Sequence, residues 1–473
     1  MRNNSNSKQN LISFKNLIKS WLILLILHTW NAPAAIIITN IAQGCMANHD
    51  LFVKSDGSLW GMGDNSENDL GDGTPNIVPR PEQIVYSNVT AVAVGEYHSL
   101  FIKSDGSLWG MGDNEQDQLG IGSWLNATPE EIVSSHVTSI AAGANWSLFI
   151  KSDGSLWAMG DNYLGQLGDG TITSEPPYTA DQIEEIVTNG VTSVAAGAGH
   201  SLFLKSDGSL WAMGWQQFGQ LGDGSNGEAP YYATNQPEEI VSSNVTAIAA
   251  GEYHSLFLKT DGSLWGMGND AFGQLGIING STNQPEEIVS SNVTAIAAGQ
   301  YHSLFLKTDG SLWGMGYNDY GQLGDGTFNL EVYQPEEIVS SNVTAIAAGQ
   351  SHSLFLKTDG SLWVMGNGGE GQLGDGFTSY NVNQPSVPEQ IVPSPQPLLF
   401  ETIASNTNLQ FAATCPLAGN YYLLMGTNLS QPLGQWTPVW TNTISHRSSN
   451  NFAATITNGV GAGSQQFFIL QSK

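Results

Sequence analysis

One phrase returns seven times along this chain, and few folds can absorb such a pattern. Its clearest copy runs from Ala250 to Gly268: Ala-Gly-Glu-Tyr-His-Ser-Leu-Phe-Leu-Lys-Thr-Asp-Gly-Ser-Leu-Trp-Gly-Met-Gly. The tryptophans that mark the copies are Trp60, Trp109, Trp157, Trp211, Trp265, Trp313 and Trp363. A spacing of about fifty residues signals a propeller or a solenoid, whose units bury their apolar faces against one another.

Each copy divides into four short segments with no helical period. In the fifth, Val245 to Ala250, His254 to Lys259, Leu264 to Met267 and Pro285 to Val289 read as strands. Leu256-Phe257-Leu258 is apolar at consecutive positions, so both faces of that strand are expected to be buried between neighbours. Asp261-Gly262 supplies a hairpin turn, with glycine taking the positive φ. Each large indole stands beside a small residue such as Gly266, Ala158 or Ala212, which lets neighbouring units approach closely. Pro335-Glu336-Glu337 and its equivalents suit an exposed edge strand. Four strands per unit and seven units predict an all-β chain, a seven-bladed β-propeller over residues 35–393.

The ends read differently. Arg2, Lys8, Lys15 and Lys19, the apolar run Trp21 to Leu27 and Ala32-Pro33-Ala34 follow the order of a secretory signal peptide, expected over 1–34. An uncleaved anchor is the alternative. A secreted, periplasmic or cell-surface location is expected, with no membrane span once the leader is removed. After the repeats, prolines mark a linker at 394–397, and residues 398–473 read as a small β-sandwich-like accessory domain. Two cysteines, Cys45 and Cys415, exclude a disulfide framework and leave open whether they pair. The formal charge is −28, and loss of the leader leaves ten of the 14 basic residues against 42 acidic ones. A surface this negative repels phosphate backbones, so no nucleic-acid partner is expected.

Three motifs recur together in fixed order: Gly-x-x-His-Ser-Leu, Asp-Gly-Ser-Leu-Trp-x-Met-Gly and Gly-Gln-Leu-Gly, the last standing at Gly165, Gly219, Gly273, Gly321 and Gly371. From about Ile36 to Val392 they closely resemble the repeat of the regulator of chromosome condensation family, here as a secreted bacterial-type member. The resemblance implies a seven-bladed propeller. It also implies guanine-nucleotide exchange and chromatin binding, which the leader and the acidic surface oppose. The secreted propeller-type β-lactamase inhibitor is similar in repeat type and compartment, and implies a partner held on one face. The chain departs from the pattern in repeat one, where Gly44 to His49 is two residues longer, and in repeat three, where Trp146 replaces the histidine. In repeat one Asp69-Leu70-Gly71 also stands for Gln-Leu-Gly.

The repeat chemistry reads as structural. Spread around a ring, His49, His98, His200, His254, His302 and His352 cannot converge on a metal. The Leu-Gly-Asp-Gly-Thr segments lack calcium-loop spacing, and no nucleophile elbow occurs. Neither metal nor cofactor is expected. The seven strand-end lysines read as solvated balance for the hairpin aspartates, and the Asn-Val-Thr sequences at Asn88, Asn244, Asn292 and Asn342 as inter-blade turns.

Recognition is expected on the rim where the copies differ. If the first strand is innermost, the loops between strands one and two and between three and four share that rim. The longer connections carry Trp124, Tyr178, Tyr231, Tyr232 and Tyr333, the shorter loops Tyr97, Trp146, Tyr253 and Tyr301, with Glu96 and Glu252 beside them. The expected function is a monomeric, non-enzymatic binding protein for a protein or glycan. The alternative is a lyase or glycosidase using carboxylates such as Glu96 and Glu252 at the channel mouth; nucleotide exchange ranks third.

Overall fold

The computed structural model describes residues 36–42, 44–122, 124–172, 183–225, 233–277, 280–378 and 386–392, and the backbone of six further strands between 401 and 472. Seven four-stranded antiparallel sheets follow one another, each built from strands consecutive in sequence. In blade 5 these are Val245–Ala250, His254–Lys259, Leu264–Gly268 and Thr282–Val289. The first strand of every blade touches the first strand of the next, and the seventh returns to the first, so these strands surround the central channel. The antiparallel order then places the one-to-two and three-to-four loops on one rim. The hairpins and inter-blade turns occupy the other. Among the described residues there is no helix, hence none long and apolar enough to cross a membrane.

Each of the seven seams between blades has its own apolar cluster. At the seam of blades 4 and 5, Leu202, Leu204, Leu210 and Leu221 meet Val245, Phe257, Met267 and the half-buried Trp265. Leu256 and Leu258 turn the other way and pack against blade 6. The Leu-Phe-Leu run is therefore consumed by two seams, and each such side chain removed from water stabilises by about 1.5–3 kcal/mol.

The recurrent polar residues stitch the same seams. His98 Nε2 lies 2.9 Å from Ser147 Oγ, His200 2.8 Å from Ser255, His254 2.9 Å from Ser303 and His302 2.9 Å from Ser353, always on the following blade. Those serine hydroxyls donate in turn to the carbonyls of Gln118, Gln220, Gln274 and Gln322, at 2.6–2.8 Å. With the hydroxyl proton committed, the imidazole has to donate from Nε2, which leaves Nδ1 bare and buried without a partner. Burial holds His49, His98, His200, His254 and His302 at about 3, so they stay neutral. Trp146 corrects an expectation: it is fully buried in the seam of blades 3 and 4, where its Nε1 donates to Ser201 Oγ at 3.1 Å. An indole can only donate, and the seam asks only for a donor.

The last glycine of Gly-Gln-Leu-Gly serves the seam too. Gly222 has φ 77°, and a Cβ there would come within 2.4 Å of Met267 Sδ on the next blade. On the opposite rim, Asn88, Asn244, Asn292 and Asn342 take φ between 68° and 71°, the backbone reason for asparagine at those turns. The lysine ring keeps its expected role, each charge helping to hold its hairpin aspartate below the ordinary value, and adds another. Each lysine lies over its tryptophan, with Nζ 3.4–4.1 Å from the ring centroid. The hairpin Asp261 is held first by Ser263, whose N and Oγ donate to it at 2.9 and 2.6 Å, and then by the charge of Lys259. The ring closes without strand exchange: Phe52 and Met62 of blade 1 pack on Leu354, Leu356 and Leu362 of blade 7, and His352 Nε2 meets Asp50 Oδ1 at 2.8 Å.

Beyond the propeller, the described strands form two three-stranded antiparallel sheets. One holds Glu401–Ser405, Asn408–Cys415 and Asn450–Thr457; the other holds Thr437–Ile444, Gly419–Gly426 and Phe467–Ser472. The leader at 1–34, the linker at 394–397 and the Cys415 side chain lie outside the described residues.

Candidate functional site

At the variable rim, the longer loop of blade 1 reaches over the channel mouth. Met46 packs against the apolar cluster at the seam of blades 3 and 4, and Gln300 Nε2 of blade 6 donates to its Sδ at 3.8 Å. Cys45 is buried there. Its thiol is pushed well up by burial, then by the charges of Glu252 and Glu96. These carboxylates, from blades 5 and 2, thus face a common point, and the chain's own thiol and thioether occupy the space there.

Glu252 differs from the exposed contact residue that was expected. It is only 6% exposed, with Oε2 buried and without a hydrogen-bond partner. The phenols of Tyr253 and Tyr301 are both turned to it, and burial followed by Glu252 raises their ionisation far above the usual range. Burial also pushes Glu96 up; a hydrogen bond from Tyr97 opposes this and the charge of Glu252 adds to it. Tyr97 is pushed up to about 12 by burial and Glu96.

Tyr253 and Tyr301 belong to a continuous ladder of seven rings. Phe218 lies 4.8 Å and Trp215 5.2 Å from Tyr253; Tyr253 lies 6.0 Å from Tyr301; Phe272 lies 5.1 Å from both Tyr301 and Tyr317; Tyr320 lies 6.1 Å from Tyr317. All seven are half-buried, and they cross blades 4, 5 and 6. Sequence reasoning missed five of them: Trp215, Phe218, Phe272, Tyr317 and Tyr320. They sit inside otherwise regular repeats, and the signal was positional. Where blade 4 has Trp215 and blade 6 has Tyr317, blades 1, 2 and 3 have Asp64, Asp113 and Asp161.

The first blades are correspondingly acidic. Glu67 is pushed up by burial and by Asp113, Glu115 and Asp64, so these groups form one cluster along the seam of blades 1 and 2. All seven described lysines end strands at the opposite rim, and Arg80 stands in the outermost strand of blade 1, Val78–Val85. Of the other expected contact residues, Trp124 is 80% exposed on the connection before the outermost strand of blade 2, and Tyr333 is 51% exposed within the outermost strand of blade 6, Glu331–Val339. Tyr178, Tyr231 and Tyr232 lie outside the described residues. The structure therefore gathers Glu96, Tyr97, Glu252, Tyr253 and Tyr301 at the mouth and leaves Trp146 in a seam.

Known proteins carry the same architecture. The profile of the RCC1-like domain matches residues 137–469, and that of the regulator of chromosome condensation (RCC1) repeat matches residues 56–102 and 105–150. The ultraviolet-B receptor UVR8 of Arabidopsis thaliana is 32% identical over 107 residues, covering 21% of this chain and 24% of that protein. Human protein RCC2 is 37% identical over 93 residues, 19% of this chain and 17% of that protein. The match thus spans a quarter or less of these relatives' own length. Among solved structures, human WBSCR16 aligns with TM-score 0.63 at 24% identity, covering 71% of this chain and 94% of that one. Yeast RCC1 (Prp20), seen bound to Kap60, aligns with TM-score 0.63 at 23% identity, covering 78% and 91%. These structural likenesses bear on the fold, and the profile match over most of the repeats settles descent: the chain belongs to the regulator of chromosome condensation repeat family.

Proposed function

We propose that this protein is a non-enzymatic binding propeller that holds a protein partner against the variable rim and works outside the cytoplasm. The observation that carries the reading is the seven-ring ladder on blades 4–6 facing an acidic sector on blades 1 and 2. Half-buried aromatic rings are what protein interfaces place at their centres. Neighbouring rings along the ladder are inclined to one another by 39–84°, so they offer no flat platform of the kind a sugar ring stacks on. The yeast propeller bound to Kap60 is one example of this fold with a protein partner. The leader-like order of residues 1–34 supports the location. Catalysis by Glu96 and Glu252 is disfavoured, because Glu252 is buried and the charges of both carboxylates act on the chain's own buried Cys45 thiol.

The test is capture from extracellular medium by the full chain, read by mass spectrometry. Trp215→Asp with Tyr317→Asp installs the residue that blades 1, 2 and 3 already carry at that position, so the fold should survive. Loss of the captured protein at unchanged melting temperature is expected; undiminished capture removes the ladder from the contact face.

A further inference from the structure

The seven copies of the Gly-Gln-Leu-Gly turn differ at one chemically important place. In blade 2, Gln118 Oε1 accepts from Gln116 N at 2.9 Å, while its Nε2 donates to Asp113 Oδ2 at 3.0 Å. Blade 3 repeats this with Gln166 and Asp161 at 3.1 Å, and blade 5 with Gln274 and Asn269 at 3.2 Å. In these three blades the glutamine amide thus supplies an N–H to the polar side chain at the end of the third strand; in blades 4 and 6, where that side chain is Trp215 or Tyr317, Nε2 of Gln220 and Gln322 has no partner. Blade 1 has Asp69 in place of the glutamine, and the residue following its third strand is Asp64. The donor has become a second carboxylate.

No side chain described in the chain compensates for that exchange. Asp69 is fully buried, neither of its oxygens is in close hydrogen-bond geometry, and the donors that act on it are the backbone N–H groups of Glu67 and of Asp69 itself. The side chains that act on it are acidic or phenolic: Asp64 and Glu67 from its own blade and Tyr97 from blade 2, with Glu96 next to Tyr97 and Asp113 and Glu115 of blade 2 acting on Glu67. Among the described residues no cluster of His, Cys, Asp or Glu has the arrangement needed to hold a metal ion. What the place lacks is a side-chain N–H donor, and a positively charged one suits it best.

We propose that Asp69, with Asp64 and Glu67, is the seat for one lysine or arginine side chain of the protein partner, whose N–H takes the place of the missing glutamine amide. This rests on the reading of the rim as the docking face. Burial, then Asp64 and Glu67, push the Asp69 carboxyl up to about 8, so near neutrality it keeps a proton. An arriving ammonium or guanidinium stabilises the carboxylate, and that proton passes to the buffer. Binding is therefore coupled to proton release.

The experiment is isothermal titration of the full chain with a short oligolysine peptide at pH 7, in two buffers of different ionisation enthalpy. The wild-type chain is expected to release about one proton per site filled, and little at pH 9, where Asp69 is already ionised. Asp69→Gln restores the residue of the other blades; it is expected to fold, to abolish the release and to weaken binding about tenfold or more. Glu287→Gln, the same acid-to-amide exchange on the outermost strand of blade 5, should leave both quantities unchanged. Equal release and affinity in Asp69→Gln overturn the proposal. So does release on adding calcium chloride alone with none on adding oligolysine, which assigns the site to a metal. Because the peptide stands in for the partner, failure here leaves the aromatic ladder standing, and failure of the Trp215→Asp and Tyr317→Asp capture test leaves this site standing.

Discussion

The buried imidazoles and the buried Asp69 pull stability in opposite directions along the pH scale. Five histidines are held at about 3 by burial, against an ordinary value of 6.5. Below pH 6.5 the unfolded chain takes up protons that the folded chain refuses, so their contribution is complete above 6.5 and is lost as pH falls towards 3. Asp69 keeps its proton in the fold up to about 8 and gives it up at 3.8 when unfolded, so stability falls as pH rises between those values. A melting-temperature profile should show both limbs, and Asp69→Gln should flatten the upper one while leaving the acid limb intact. That the histidines are structural could be read from their sevenfold spread. That each must be a donor could not, because the proton's direction is set by a serine on another blade and a carbonyl on a third segment. Trp146 was the available clue, and its apparent exposure in a loop hid it.

Strands and turns were more legible than single side chains. Consecutive apolar Leu256, Phe257 and Leu258 announced burial on both faces, and Asp261-Gly262 announced the hairpin. The lysines were half read: charge pairs Lys259 with Asp261, and its place over Trp265 was not seen. The hairpin register makes Phe257 and Trp265 direct cross-strand partners, and Lys259, two residues beyond Phe257, shares their face. The indole is consequently the nearer neighbour. At the same scale, Gly222→Ala forces a Cβ into Met267 Sδ at a positive φ. Its cost should be about 1–3 kcal/mol in urea unfolding; a change below about 0.5 kcal/mol would mean the seam yields more easily than its packing suggests.

Over the whole molecule, blade number followed from counting, whereas the aromatic ladder did not. Its rings come from blades 4, 5 and 6 and from two kinds of loop, so they become neighbours only when the ring closes. Six seams are backed by a peptide link between their blades. The seventh, between blades 7 and 1, has no such link; it is held by side chains and by backbone hydrogen bonds from Gln350 N to Ala47 O at 3.1 Å and from Gly376 N to Pro79 O at 2.7 Å, with His352 and Asp50 in place of the usual histidine and serine. Asp50→Ala should therefore lower stability by about 1–3 kcal/mol, and hydrogen exchange should quicken first in blades 1 and 7. Had all seven copies stayed alike, the disc would offer a visiting molecule seven indistinguishable ways to land, each turned by one blade from the last. Acid on blades 1 and 2 and aromatic rings on blades 4–6 give it a compass bearing instead, so a partner settles at a single azimuth.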